Sequence, residues 1–176
     1  MNRIKAGLIH LSISSVVAMV AMTVVFGVWY PAPLHLAAGV TSIFLIVVAV
    51  DVVLGPLLTT VVYRPGKKSL KFDLAVIALL QISAFSYGLW TVAQARPAWI
   101  VYNVDRFDLV LAHEIDARKA DRAALAYRSP PWLGPGWVVA VRPEGIEERK
   151  EILFESIFAG VDIPQHPELY RPSIAA

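Results

Sequence analysis

The sequence predicts an α-helical membrane protein: three transmembrane helices followed by a small α+β extracytoplasmic domain. Three observations predict it. Apolar residues make up 57% of the 176 and charged residues only 17%, which is too apolar for an ordinary soluble domain. Residues 6–50 and 74–95 hold no Lys, Arg, Asp or Glu. After Arg96 charges become frequent, so the apolar and polar halves are separate in the chain.

A spanning helix needs roughly 20 apolar residues. The first predicted span, residues 7–28, follows a short basic start with Arg3 and Lys5. The apolar core of a signal peptide is only about 7–15 residues. This run is longer, and small residues at a plausible cleavage site lie far beyond it, so an uncleaved anchor is expected. The link Trp29-Tyr30-Pro31-Ala32-Pro33 is short and proline-rich, which suits a tight turn between antiparallel helices. The second span is expected over 36–62 and the third over 74–95. Residues 1–95 thus form the membrane region and 96–176 the small domain.

Charge sets the expected orientation. The net charge of +2 divides into +4 over residues 1–73, from six basic and two acidic side chains, and −2 over 96–176, from ten basic and twelve acidic. Arg3 and Lys5 share a side with the loop cations Arg64, Lys67, Lys68 and Lys71, because two spans separate them. By the positive-inside rule that side is the cytoplasm of a bacterial inner membrane, and the C-terminal domain is periplasmic. Trp29, Tyr30, Trp90 and Trp99 are expected at the outer interface. The high pI reflects two short basic flanks, and a nucleic-acid partner is not expected. Without cysteine, disulfides and thiolate chemistry are excluded.

In the C-terminal domain, residues 99–104 and 109–112 read as a bent strand or a hairpin. Residues 114–127 have helix formers and charges at helical spacing. Residues 129–136, rich in Pro and Gly, read as a loop. Residues 137–141 are strand-like. Residues 144–158 read as an amphipathic helix, with Pro143 at its start, Glu147 and Glu148 in its first turn and Gly160 past its end. Its apolar stripe runs Ile146, Leu153, Ile157, with Ile152 and Phe154 beside it. Residues 163–176 read as a proline-bearing tail over the surface.

Asp51 is the candidate with the most chemistry. It lies about 13 residues, or roughly 20 Å, from Arg64, near the centre of the second span. An ionisable group there costs at least about 2.5–3.5 kcal/mol on insertion scales, so it must face the bundle or a partner. Counting from Lys5 and Lys71 puts Ser14, Ser15, Gln81 and Ser83 near its level. Two readings stand: a buried carboxyl bonded to those groups, or a docking point for a polar group on another membrane helix. Gly55 lies four residues on, on the same helix face. Pro56 cannot donate to the carbonyl of Val52, so a kink is expected, either for packing or to shape a groove. Thr59 and Thr60 are placed to re-satisfy backbone there. The candidate partner-binding set is therefore Asp51, Gly55, Pro56, Gln81 and Ser83. No histidine pair has metal-ligand spacing, and no nucleophile motif, P-loop or nucleotide-binding glycine turn occurs, so no catalytic residue, metal or cofactor is expected.

The run Val50-Asp51-Val52-Val53-Leu54-Gly55-Pro56-Leu57-Leu58-Thr59, followed by Pro65-Gly66-Lys67-Lys68-Ser69-Leu70-Lys71-Phe72-Asp73, resembles the signature of the TfpX/TfpZ type IV pilin accessory proteins. Leu80-Gln81, Tyr87-Gly88, Arg96-Pro97, Val104-Asp105-Arg106-Phe107, Gly134-Pro135, Glu148-Arg149 and Pro167-Glu168-Leu169-Tyr170-Arg171-Pro172 match in order. The resemblance implies a non-enzymatic inner-membrane helper that binds or stabilises a type IV major pilin before or during assembly. The pilin's transmembrane helix and periplasmic head would be the partners, beside membrane lipid. It assigns no binding residues and no oligomeric state. The alternatives are a membrane sensor with a ligand-binding periplasmic domain, or a subunit of a pilin-modifying membrane enzyme.

The orientation is tested by a reporter active only outside the cytoplasm. Fused after Ala176 it should be active, and fused after Lys68 silent. A silent, fully expressed C-terminal fusion overturns the three-span arrangement.

Overall fold

The computed structural model describes residues 2–173, in two compact units, Met1–Ala93 and Gln94–Ala176. The first unit holds three helices long and apolar enough to cross a membrane: Arg3–Trp29, Val40–Val62 and Leu70–Gln94. α1 (Arg3–Val24) opens on Asn2, whose side chain accepts from the backbone N–H of Lys5 at 2.8 Å. It runs into a π turn, Val25–Trp29. The second long helix starts later than position 36. A short helix α2 (Leu34–Ala37) ends at Gly39, whose φ of 66° is left-handed and stops right-handed propagation. α3 (Val40–Ala49) passes through a second π turn, Val50–Leu54, into α4 (Gly55–Val62). The turn sits just before Pro56, which has no N–H to continue the ladder. Thr60 Oγ1 donates to the Pro56 carbonyl at 2.8 Å. The third long helix is α5 (Leu70–Gln94).

Lipid tails are as apolar as Leu, so burial of apolar surface does not drive these helices together; close packing and hydrogen bonds must. Gly7 of α1 packs on Thr60, and a Cβ there would also come 3.3 Å from the Pro56 carbonyl. Gly88 of α5 lies against Val47, whose two methyl carbons would each be 2.8 Å from an added Cβ. Near one end, Val25, Tyr30, Phe44 and Val92 form a buried cluster, with Phe26 edge-on to Phe44 at 5.3 Å. The Tyr30 hydroxyl donates to the Val92 carbonyl at 2.8 Å. Tyr30 is thus part of the bundle core. Elsewhere α5 is loosely held, with only Ile77, Val92 and Ala93 buried along it.

The second unit is a four-stranded mixed sheet with one helix and several 3-10 turns. β1 (Pro97–Asn103) and β2 (Arg106–Leu111) form an antiparallel hairpin, which settles the choice between hairpin and bent strand. β3 (Gly136–Ala140) runs parallel to β1, and β4 (Tyr170–Pro172) closes the order β2-β1-β3-β4. Val101, Val110, Val138, Ala140 and Tyr170 make the core. Trp99 belongs to it, edge-on to Tyr127 and Tyr170, each at 5.6 Å. Arg96 is buried: its guanidinium donates to the carbonyls of Pro130 and Pro131 and stacks 3.8 Å over Trp132, which pins the proline loop.

Three expectations are corrected here. Residues 114–127 are not a helix but 3-10 turns, at Ala112–Glu114, Ala117–Arg122 and Leu125–Tyr127. Asp116 accepts from the Arg118 N–H and binds its guanidinium, a local arrangement that competes with α-helical bonding. The tail is not laid loosely over the surface, because β4 joins the sheet and Tyr170 is 1% exposed, its hydroxyl donating to the Pro164 carbonyl. Residues 174–176 lie outside the described residues. α6 (Ile146–Ala159), ended by left-handed Gly160, buries Ile152 and leaves Ile146, Leu153, Phe154 and Ile157 exposed, so the expected apolar stripe points outward.

The approach of the second and third helices is testable because the chain has no cysteine. An added Cβ at position 88 lies 3.4 Å from Val47 Cβ, close to the roughly 3.5–4.5 Å between bridged cysteine Cβ atoms. Oxidised Val47→Cys/Gly88→Cys protein should lose maleimide labelling that each single variant retains. Full labelling of the oxidised double variant contradicts the packing.

Candidate functional site

The second π turn brings Asp51 inward, where it is 9% exposed. In π-helical register the donor for the Asp51 carbonyl would be residue 56, a proline without an N–H. Gln81 of α5 supplies the donor: its Nε2 lies 3.1 Å from the Asp51 carbonyl oxygen and 3.1 Å from Asp51 Oδ1. The carboxamide can approach because Gly55, one turn on, has no side chain; a Cβ there would overlap the Gln81 amide. The face shared by Asp51 and Gly55 therefore meets this chain's own third helix. Gln81 Oε1 is buried without a hydrogen-bond partner.

The other expected residues divide. Pro56 is buried, its carbonyl beside Gly7. Ser83, two residues beyond Gln81, is exposed and does not join the pair. Ser14 is 4% exposed and lines the same cavity as Asp51, while Thr59 meets His10, whose Nδ1 is 2.6 Å from Thr59 Oγ1. Neither His10 nor its contact was legible in the sequence, since residues 49 apart in sequence meet only through helix pairing. Arg64, Lys67, Lys68 and Lys71 are all exposed, with Lys67 paired to Asp73 at 2.6 Å.

The Asp51–Gln81 pair lines two cavities. One, of about 540 Å³, opens between the first and third helices, with Ile9, Ile13 and Val17 on one wall and Leu74, Ala78 and Ile82 on the other. The second, of about 330 Å³, lies between the second and third helices beside Val47 and Gly88. A largely apolar groove with one carboxyl, one carboxamide and one imidazole at its base can hold an apolar helix that carries a hydrogen-bonding group. No arrangement of nucleophile, base and orienting group occurs in this cavity among the described residues.

The second unit holds a cluster that spacing rules missed. Asp116, Glu155 and His166 converge from three segments, with Arg118 bridging Asp116 at 2.8 Å and Glu155 at 3.1 Å. The hydrogen bond from Arg118 holds the Asp116 carboxyl below its usual range, and the same contact raises the guanidinium. Lys119 and Glu151, 2.9 Å apart, perturb each other likewise: the hydrogen bond between them raises the Lys119 amine and lowers the Glu151 carboxyl.

Comparisons with known proteins place this geometry in context. The family model described as Fimbrial assembly protein FimB matches residues 1–39. The "Fimbrial assembly protein, serogroup I" of Dichelobacter nodosus is 35% identical over 165 residues, which is 92% of this chain and 63% of that protein. The serogroup E1 protein of the same organism is 34% identical over 164 residues, again 92% and 63%. The chain thus spans less than two thirds of the length of these two relatives. The protein of serogroups C1 and C2 is 34% identical over 109 residues, 61% of this chain and 83% of that protein. No solved structure matches the chain.

If the pair ties the second and third helices, Gly55→Leu should drive Gln81 off Asp51. In the Val47→Cys/Gly88→Cys background it should cut disulfide formation several-fold, while Ser83→Leu, at an exposed position, should not. Equal cross-linking in the Gly55→Leu protein contradicts that role.

Proposed function

Because the chain belongs to the fimbrial assembly protein family, we propose that it is a non-enzymatic accessory of type IV pilus assembly, binding or stabilising the major pilin in the inner membrane before or during polymerisation. The narrower resemblance to the TfpX/TfpZ accessory proteins agrees with this reading. The carrying observation is the cavity of about 540 Å³ between the first and third helices, at whose base Asp51 and Gln81 lie. Gln81 Oε1 there has no hydrogen-bond partner. An unsatisfied polar group in the lipid core costs several kcal/mol, so a visiting helix with a donor gains by meeting it. Measured interhelical hydrogen bonds in membranes average only about 0.6 kcal/mol, so packing in the groove must add to the bond. α5, buried at few points, can give way to admit such a helix.

In this reading the N-terminus and the basic loop face the cytoplasm, and the C-terminal unit meets the pilin head in the periplasm. The cations Arg64, Lys67, Lys68 and Lys71 set orientation as a group. Pro56 shapes the groove through the π turn before it, and Ser83, exposed on α5 outside the cavity linings, offers the visiting helix a hydroxyl. The sensor reading has one observation in its favour, a cavity of about 370 Å³ in the second unit lined by Lys119, Arg122, Arg142 and Glu144.

Affinity purification of the tagged full chain from pilus-bearing cells tests the proposal. The major pilin should co-purify with the unaltered protein and with Asp51→Asn, which keeps the shape and most hydrogen bonding. Recovery should fall several-fold for Asp51→Leu. Full recovery with a normally inserted Asp51→Leu protein removes Asp51 from the interaction, and absence of pilin from every eluate overturns the function. A co-purifying sugar-lipid enzyme instead would favour the pilin-modifying alternative.

A further inference from the structure

The C-terminal unit contains a buried constellation that pilin binding in the membrane does not use. His166 is 0% exposed, between the 3-10 turns Ile163–Gln165 and Pro167–Leu169. Its Nδ1 is 3.2 Å from Glu168 Oε1 and 3.8 Å from Asp116 Oδ2. Its Nε2 points to Glu155 Oε2 at 3.4 Å and makes no hydrogen bond. Glu155 Oε2 and Glu168 Oε2 are buried and without hydrogen-bond partners too. A buried polar atom left without a partner is destabilising, and His166 Nε2 and Glu155 Oε2, which face each other, call for a shared one.

Arg118 does not supply that partner. Its side chain is 56% exposed, and its contacts reach both oxygens of Asp116 but only Oε1 of Glu155. It covers the mouth of the cluster and leaves Glu155 Oε2 and His166 Nε2 to something smaller. The charges point the same way. Asp116, Glu151, Glu155 and Glu168 face Arg118, Lys119 and Arg122, which leaves the cluster short of positive charge.

We propose that Asp116, Glu155 and His166 bind a divalent transition-metal ion. One ligand atom from each falls within 4.8 Å of the others, a spread that a single ion can bridge with small side-chain shifts. With Nδ1 held by Glu168, Nε2 is the nitrogen left to a metal; Glu155 already faces it at 3.4 Å, Asp116, whose Oδ2 lies 3.8 Å from Nδ1, has to turn toward it, and a carboxylate behind a metal-binding imidazole fixes its tautomer and orientation. One imidazole with two carboxylates suits zinc, and also manganese or iron, better than calcium or magnesium, which take oxygen ligands. Three protein ligands leave a position for water. The ion ties the segment before Ala117–Arg122, α6 and the turn leading to β4, adding to the Asp116 N–H to Gln165 carbonyl bond and the half-exposed ion pairs of Arg118 and Lys119 with α6. Its role is to hold the unit's fold. The sequence expectation of no metal rested on spacing, and these ligands come from segments far apart in the chain.

Purified full-length protein in detergent, stripped with chelator, is titrated with zinc chloride, with manganese chloride in parallel. Bound metal is read by mass spectrometry after dialysis, and unfolding by tryptophan fluorescence. One zinc per chain should bind, with an unfolding temperature that rises with zinc concentration. Glu155→Gln, close in shape, should weaken binding at least tenfold, and Glu168→Gln, behind the imidazole, by about 10–100-fold. Arg118→Ala should keep or tighten binding, because it frees Asp116 and Glu155 oxygens. A stripped, folded chain that takes up neither zinc nor manganese overturns the proposal. So does zinc held equally by Glu155→Gln, or zinc lost with Arg118→Ala while that variant stays folded.

Discussion

A carboxyl and a carboxamide placed in lipid have no water to turn to, and in this chain they turn to each other. Gln81 bonds both the side chain and the backbone carbonyl of Asp51. The rest of the membrane unit is arranged to permit that. The π turn exposes the Asp51 carbonyl because Pro56 cannot take it. Gly55 leaves the gap that the Gln81 amide fills, and further along α5 Gly88 lets the backbone come up to Val47. Hydrophobic burial cannot select this arrangement among membrane helices, so the polar pair and the small residues do. The same pair leaves one acceptor unmade at the base of a groove, which is where the proposed occupant enters.

The C-terminal unit obeys the same accounting of polar groups under different solvent conditions. Its core is apolar and aromatic, with Val101 opposite Val138 and Ala140 opposite Tyr170 on adjacent strands. Around that core several buried polar groups tie other segments to it. Arg96 collects the carbonyls of the proline loop, and the Tyr170 hydroxyl collects Pro164. His166 collects three carboxylates. Short 3-10 turns can wrap a small sheet because these side chains fix them one by one.

Much of this was legible before any coordinates. The charge-free runs marked the three helices, Pro56 marked the irregularity in the second, and depth alone singled out Asp51. Gln81 was placed near Asp51 by counting rise from the flanking lysines, and the structure pairs them. Ser83 was placed at the same level, yet two residues turn a helix by about 200°, so only one of the two can face Asp51. Helix α6 was located from its caps, but its inward face was misjudged. Periodicity ranks faces by apolarity, whereas here Glu155 and Lys119–Glu151 pairing draw a more polar side inward and leave Leu153 and Ile157 exposed. The segment 114–127 has helical composition, but Asp116 captures the Arg118 N–H and guanidinium and breaks it into turns.

The sequence by itself determined what depends on neighbours in the chain: three membrane helices, the break at Gly55-Pro56, and a carboxyl that must be buried. Each follows from local composition set against the solvent, water or lipid, and needs no knowledge of partners. Tertiary structure alone decided which residue answers Asp51, why Tyr30 and Trp99 are core, and how His166 meets Asp116 and Glu155. Those contacts join segments distant in sequence, and their energies depend on direction and distance, which composition and spacing do not encode.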